Sequence, residues 1–173
     1  FGVVMQDGYI FSETIERNIT TSDESINYSQ LNKAIEIANL KNFIDSLPLG
    51  LKTPIGLSGN GISGGQKQRI LIARAIYKNP QYIFFDEATS ALDSITEEAI
   101  TDTIREISGD GQQISILIAH RLSTIMHVDR IYVLEKGDVV ETGNHEKLLE
   151  EKGLYYAMWR QQIGERKSKI HVA

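Results

Sequence analysis

Two short groups of residues in this sequence suit the chemistry of phosphate and of a hard metal ion. The first is Ser63-Gly64-Gly65-Gln66, in which Ser63 and Gln66 have the spacing of a capping box at the start of a helix. A helix N-terminus favours an anion, and glycine lets a phosphate approach the backbone closely. These four residues are therefore candidates for binding a phosphate group.

The second group is the acidic pair Asp86-Glu87, which directly follows the apolar run 82–85. Such a run is typical of a strand in a parallel sheet, and α/β proteins bind ligands at the carboxyl ends of those strands. Asp86 could hold Mg²⁺, and Glu87 could act as a general base towards water. Taken alone, the pair also fits two solvated acids at a strand end.

A glutamine and a histidine follow two other strand-like runs and are further candidates. Gln6 comes after residues 1–5, and His120 comes after the apolar run 114–119. Taken alone, Gln6 also fits a surface amide, and His120 fits a structural hydrogen-bonding residue. The remaining histidines lack such a context, and no function is predicted for them: His127, His145 and His171.

These candidates need a helix and a set of strands to hold them. The helix that Ser63 caps is predicted to run to about Lys78, at the end of a mainly helical region over residues 12–79. Earlier in this region four apolar residues recur at helical spacing: Leu31, Ile35, Ala38 and Leu40. The chemistry of the first group therefore depends on a helical part of the chain.

The second half of the chain alternates between strands and helices. The apolar runs 82–85 and 114–119 predict strands that are covered on both faces. Ser94 is predicted to cap a helix between them that reaches about Ile107. The remaining predicted segments are a hairpin of residues 130–134 and 139–141, a helix from Leu148 to about Gln162, and a frayed polar tail at 165–173.

Composition limits the class of protein. The 173 residues carry a net charge of −5 and are 41% hydrophobic, which suits one globular domain without a general basic field for nucleic acid. The absence of cysteine excludes a disulfide, a thiolate metal site and a cysteine nucleophile. No uninterrupted apolar run approaches the roughly 18 residues of a membrane-spanning helix, and no secretory signal is visible.

Together these motifs resemble the nucleotide-binding domain of ABC transporters. Several motifs in the family's order are much more specific than any one of them. The residues that carry the resemblance are Gln6 and its following segment, Ser63–Arg69 with Ala73-Arg74-Ala75, residues 82–93, and Ala119–Thr124. The resemblance implies the α/β P-loop NTPase fold, truncated, with a mostly parallel sheet and an α-helical subdomain. It implies a helical subdomain at 12–79, an α/β core at 1–11 and 80–164, and a polar tail at 165–173.

The resemblance also implies a role for each polar residue at a strand end. Asp86 would hold Mg²⁺, and Glu87 would be the catalytic base in ATP hydrolysis. Gln6 would sense Mg²⁺ or the attacking water, and His120 would contact the γ-phosphate of ATP. Asp93 would couple the two nucleotide sites of a dimer, although by itself it also fits a charge at a helix N-terminus.

The partners implied by the resemblance are a second nucleotide-binding domain and a transmembrane domain. Ser63–Gln66 would bind an ATP held by the second domain in a head-to-tail dimer. The exporter branch fits best, with the surface near Tyr9–Asn18 against the transmembrane domain at the cytoplasmic face of the membrane. Leu57-Ser58 stands where exporters often carry an acidic residue, so no salt bridge of that loop is carried over. Peptide, lipid and drug exporters fit equally.

One motif of the family's ATP site is absent from the sequence. No G-x-x-x-x-G-K-[ST] phosphate loop occurs in the 173 residues. That loop supplies a nest of N–H groups and a lysine to the phosphates, so we expect this chain by itself to bind ATP weakly and not to turn it over. Because the chain begins directly in strand-like sequence, we expect a truncation that leaves part of the sheet uncovered.

Two other functions remain open from the sequence. One is a soluble ABC-type ATPase that acts on nucleic acid or ribosomes, although the short interval between Gln6 and Ser63 contains prolines and leaves no room for a long coiled-coil arm. The other is a non-enzymatic interaction module that retains the motifs as relics. Binding of labelled ATP by the full-length protein distinguishes this module from the two ATPases.

Overall fold

The computed structural model of the protein describes residues 1–21, 24–56, 61–87, 94–109 and 113–170. In chain order the elements are β1 (Gly2–Val4), α1 (Ile15–Thr20), α2 (Tyr28–Ile37), α3 (Lys41–Asp45), α4 (Gly64–Tyr77), β2 (Tyr82–Asp86), α5 (Ser94–Gly109), β3 (Ile114–Ile118), β4 (Ile131–Glu135), β5 (Asp138–Gly143), α6 (His145–Glu151) and α7 (Leu154–Ile170). Within those ranges, no helix is both long and apolar enough to cross a membrane. The contacts divide the chain into two units, Phe1–Ile118 and Ala119–Ala173, each with its own core.

The sheet of the first unit sets the position of the acidic pair. Its three strands are parallel, with β2 between β1 and β3. Val4 lies opposite Phe85, and Asp86 lies opposite Ile118. The carboxyl ends of the three strands therefore meet at one edge of the sheet, which is the edge where α/β proteins bind ligands.

The helices of the first unit share one core with this sheet. Ile70 and Ile72 of α4 belong to the same buried cluster as Ile83 and Phe85 of β2. All four apolar residues predicted at helical spacing before α4 are buried: Leu31, Ile35, Ala38 and Leu40. Leu31 and Ile35 lie in α2, whereas Ala38 caps its C-terminus and Leu40 precedes α3. One core therefore holds both α4 and β2, the elements that carry the two groups of candidate residues.

Among the described residues, one face of the three-stranded sheet is buried and the other is exposed. Val4, Ile83 and Phe85 are at most 2% exposed. The alternate residues are exposed: Val3 57%, Tyr82 38%, Ile114 56%, Ile116 41% and Ile118 57%. The prediction that these strands are covered on both faces is therefore wrong for the described part of the chain. An apolar run records the character of both faces, whereas burial depends on what packs against each of them.

The second unit contains the predicted hairpin, formed by β4 and β5 as an antiparallel pair. Lys136 and Gly137 connect the strands and both have positive φ angles, of 53° and 95°. Two such residues form the tight turn whose twist matches that of a hairpin. The hairpin prediction is confirmed.

The helix predicted from Leu148 begins earlier and is interrupted. The Asn144 side chain accepts the N–H of Lys147 at 2.9 Å and caps α6 at its N-terminus. Lys152 adopts a left-handed conformation with φ 53° and ends α6. The prediction of one helix is therefore wrong, because a local cap starts α6 three residues earlier and a left-handed residue stops it.

A carboxylate from the hairpin starts the second of these helices. The Glu141 carboxylate accepts the N–H groups of Leu154 and Tyr155 at the start of α7. The polar segment 165–173, which we expected to be frayed, is helical as far as Ile170. Its glutamate, arginine and lysines are good helix formers, so the helix continues beyond the apolar residues.

Candidate functional site

Asp86 and Glu87 lie at the carboxyl edge of the parallel sheet. Asp86 is the last residue of β2, and the Glu87 N–H donates to the Ile118 carbonyl at 3.0 Å. Glu87 has a left-handed φ of 48°, which is uncommon for a residue with a side chain. This turn breaks the strand alternation that would send neighbouring side chains to opposite faces. Both residues are half-buried, and they therefore form an accessible acidic pair at the ligand-binding edge.

Gln6 lies at the same edge of the sheet. β1 ends at Val4 opposite Phe85 of β2, and a turn follows in which the Gly8 N–H donates to the Met5 carbonyl at 3.3 Å. Gln6 is inside this turn and is exposed. The parallel register of β1 and β2 therefore brings Gln6 to the edge that carries the acidic pair.

His120 belongs to the second unit, two residues after the end of β3, and it is exposed. Its backbone carbonyl accepts the Nε2–H of Gln162 at 2.6 Å. The Gln162 Oε1 atom also accepts the N–H of Leu122 at 2.9 Å. The Gln162 side chain of α7 thus holds the backbone on both sides of Arg121, the residue that follows His120.

The capping box at the start of α4 is confirmed. The Gln66 N–H donates to Ser63 Oγ at 3.1 Å, and the Ser63 N–H donates to Gln66 Oε1 at 2.9 Å. Ser63 and Gly64 are exposed, whereas Gly65 and Gln66 are half-buried. In the cap Ser63 Oγ acts as an acceptor, so its own hydrogen can still be donated to an anion. The amide N–H groups of Gly64 and Gly65 have no intrahelical acceptor, as at every helix start.

Asp93 and the Leu57-Ser58 pair, which the sequence analysis singled out, lie outside the described residues. Asp93, predicted to couple two nucleotide sites, directly precedes α5 in the chain. The Leu57-Ser58 pair precedes the capping box of α4. The role of Asp93 therefore remains a prediction.

Sequence reasoning missed three polar residues that hold the backbone near the candidate residues: Asn18, Arg74 and Gln162. Each has an apolar residue three positions before it in its helix, Ile15, Leu71 and Trp159 respectively. A polar residue in such a position marks a buried hydrogen bond, because burying an unpaired polar group is costly. That signal is present in the sequence, but it does not reveal the partner.

The chemistry of the edge fits Mg²⁺ bound together with a phosphate. Asp86 and Glu87 offer carboxylate oxygens and Gln6 offers an amide oxygen, which are the hard ligands that Mg²⁺ prefers. Within the described residues no group of three His, Cys, Asp or Glu side chains could hold a metal ion. Mg²⁺ often takes one or two protein carboxylates and completes its shell with phosphate and water. Asp86 therefore suits a metal that arrives with a nucleotide.

Comparison with known proteins gives the family. The sequence profile described as ABC transporter matches residues 1–90. Heavy metal tolerance factor 1 of Caenorhabditis elegans is 43% identical over 97% of this chain and 21% of its own length. The exotoxin translocation ATP-binding protein PaxB of Pasteurella aerogenes is 47% identical over 90% of this chain and 22% of its own length.

A solved structure gives the fold. The structure of a bacterial Atm1-family ABC exporter with ATP bound matches 93% of this chain and 28% of its own chain, with a TM-score of 0.82 and 43% identity. The fold is therefore the P-loop NTPase fold of ABC ATPases, as the resemblance implied. This chain spans between about a fifth and three-tenths of the length of these relatives. On the profile match, the sequence identity and the shared fold, the chain belongs to the ABC transporter family.

Proposed function

We propose that this chain belongs to the ATP-binding and ATP-hydrolysing domain that powers an exporter in a membrane. The observation that supports this most directly is the sheet edge that carries Asp86, Glu87 and Gln6. The exposed, capped start of α4 provides a second phosphate-binding feature in the same unit. The ABC ATPase family binds ATP, and the relatives named above include exporters and a translocation protein.

The proposed mechanism assigns one task to each residue at the strand ends. Asp86 would hold Mg²⁺, whose charge offsets that of the phosphates. The Glu87 carboxylate accepts a proton from the attacking water. The Gln6 amide orients that water, and the His120 ring hydrogen-bonds to the γ-phosphate. Hydrolysis in this scheme depends mainly on positioning and electrostatic stabilisation.

The capped start of α4 is proposed to act on a nucleotide held by a second copy of the domain. Ser63, Gly64, Gly65 and Gln66 of this chain donate across the dimer interface to the γ-phosphate of the ATP that the second copy holds. Asp93 would couple the two sites of this dimer. ATP binding at both sites would then draw the two domains together.

The transmembrane domain is proposed to contact the surface near Tyr9–Asn18, at the cytoplasmic face of the membrane. Tyr9 and Phe11 support this, because their side chains are 61% and 45% exposed. Their rings are in edge-to-face contact, with 5.4 Å between the ring centres. Exposed aromatic residues are enriched at protein interfaces. The relatives' names point to different cargoes, heavy metals and toxins, so the proposal stops at export.

Equilibrium dialysis of radiolabelled ATP with Mg²⁺ against the full-length protein tests the proposal. We expect saturable binding of one ATP per copy. In an assay of ATP hydrolysis, we expect no stimulation by DNA, RNA or ribosomes. Absence of binding would overturn the proposal in favour of an interaction module. Stimulation by nucleic acid or ribosomes would favour the soluble ATPase instead.

A further inference from the structure

One side chain of α4 is bonded to the segment that follows Gln6. The Arg74 guanidinium donates from Nη1 to the Tyr9 carbonyl at 2.8 Å and from Nε to the Asn18 carbonyl at 2.7 Å. Its Nη2 donates to Asn18 Oδ1 at 3.1 Å, and the group lies 5.0 Å from the centre of the Phe11 ring. Burial lowers the pKa of Arg74, but arginine remains charged in proteins. These contacts span more than fifty residues of sequence.

Asn18 organises the segment that Arg74 contacts. Its side chain is fully buried, and its Oδ1 atom accepts the Phe11 N–H at 2.8 Å. Its Nδ2 group donates to the carbonyls of Phe11, Glu13 and Thr14 at 3.0, 3.3 and 3.0 Å. One amide therefore folds residues 11–14 around itself, and it shares its oxygen with Arg74. The loop, α1 and α4 belong to a single hydrogen-bond network.

Gly8 brings the same segment directly against α4. A Cβ atom on Gly8 would overlap the Leu71 side chain, so a larger residue would require that side chain or the segment to move. Leu71 precedes Arg74 by three positions and therefore lies on the same side of the helix. The backbone leaving Gln6 is thus packed on α4 at Gly8 and hydrogen-bonded to it at Tyr9.

We propose that Arg74 and Asn18 are positioning residues that transmit movement of α4 to residues 8–18. The inference rests on the proposed function, in which the cap of α4 binds phosphate and residues 9–18 contact the transmembrane domain. Arg74 lies about 15 Å along the helix from Gly64, too far to touch a phosphate at the cap. A helix carries displacement over that length as a rigid element, and lysine lacks the planar fork that makes three bonds at once.

Hydrogen exchange measured by mass spectrometry on the full-length protein tests this inference. The protein carries Glu87→Gln to block hydrolysis and is compared with and without Mg²⁺ and ATP. In the protein with Arg74 we expect ATP to slow exchange in both peptides, 63–77 and 8–18. With Arg74→Lys we expect protection of 63–77 to remain and the ATP effect on 8–18 to fall roughly tenfold, within the usual range of coupling between sites.

Arg105→Lys is the matched control, because the Arg105 side chain on α5 is 45% exposed and its Nη1 lies 3.0 Å from Asp102 Oδ1. In Arg105→Lys the ATP effect on both peptides should equal that in the protein that carries only Glu87→Gln. The inference would be overturned if Arg74→Lys showed the same ATP effect on each peptide as the protein with Arg74. It would also be overturned if Arg74→Lys lost the ATP effect on both peptides. Either result would leave the proposed function intact. No ATP effect on either peptide with Arg74 present would overturn the proposed function itself.

A second variant keeps the test decisive if Arg74→Lys does not fold. Phe11→Ala removes the ring beneath the guanidinium, and Phe11 is 45% exposed, so its loss is tolerated better than that of a core residue. We expect the ATP effect on peptide 8–18 to weaken in the same direction, by less than with Arg74→Lys. An unchanged ATP effect in this variant would contradict the inference.

Discussion

The Ser63 hydroxyl illustrates how one residue can serve both folding and chemistry. Its oxygen accepts the Gln66 N–H and caps α4, which leaves its hydrogen for an anion. An N-cap of this kind contributes about 1 kcal/mol to stability. Because the cap and the proposed phosphate contact use different parts of the hydroxyl, substitutions can separate them.

Ser63→Asp should retain the helix cap and lose the proposed contact with the γ-phosphate. Aspartate caps a helix as well as serine, but its negative charge would repel the γ-phosphate of the partner's ATP. We expect multiple-turnover ATPase activity of the full-length protein to fall at least about tenfold, with a melting temperature close to that of the parent. Ser63→Thr is the control and should retain both properties. Normal turnover by Ser63→Asp would refute the proposed contact.

Residues differ in how far the sequence could predict their roles. The capping box at Ser63 and Gln66 depends on neighbours three positions apart, so it was predictable. The pairing of Asn18 with Arg74 joins distant positions and follows from the packing of α1 on α4. A buried polar residue could be suspected from its apolar neighbours, but its partner comes only from the fold.

Among the elements, the β4–β5 hairpin allows a direct test of backbone strain. Gly137 has φ 95°, and a Cβ there would meet nothing within 4 Å, so its substitution changes backbone strain alone. Gly137→Ala should destabilise the hairpin by about 1 kcal/mol. Lys136→Gly, at φ 53°, is the matched control and should be neutral or stabilising.

Hydrogen exchange of residues 131–143 in the full-length protein measures this effect. An hour-scale exchange series should show about fivefold faster exchange in Gly137→Ala, because exchange through a rapid opening equilibrium of the hairpin follows its stability. Equal exchange in Gly137→Ala and Lys136→Gly would contradict the expected backbone strain at Gly137.

The element with local turn chemistry was predictable, and the helix that starts at a distant contact was not. The hairpin follows from Lys136-Gly137 between two apolar segments. α6 ends at the left-handed Lys152, whereas the start of α7 depends on Glu141, whose carboxylate accepts the first N–H groups of α7. A Cβ on Gly153 would overlap that carboxylate, so the glycine allows the close approach. No pattern within residues 148–162 reveals this contact.

At the scale of the whole molecule, the exposed apolar face of the sheet contradicts the prediction of strands covered on both faces, although part of the sheet was expected to be uncovered. Strand sequence records which faces are apolar, whereas coverage depends on other segments. Phe1 extends this face by stacking on Tyr82 at 5.4 Å. An apolar patch of this kind favours association.

We therefore expect the isolated 173-residue chain to self-associate through this face. Ile116→Thr combined with Ile118→Thr should shift it towards the monomer, because threonine keeps the strand propensity and removes apolar area. Leu49→Thr, at a residue that is 62% exposed outside the sheet, is the control and should change little. Light scattering after size-exclusion chromatography gives the mass. A monomeric parent chain would contradict the expectation.

The most direct test of the central claim is multiple-turnover ATP hydrolysis by the full-length protein with Glu87→Gln. Glu36→Gln, an exposed glutamate of α2, is the matched control. If Glu87 is the base at the carboxyl edge of the sheet, we expect hydrolysis to fall at least about 100-fold, with ATP retained on a trapped dimer. The Glu36→Gln protein should hydrolyse ATP at the parent rate. Hydrolysis by Glu87→Gln at the rate of this control would contradict the proposed role of the acidic pair.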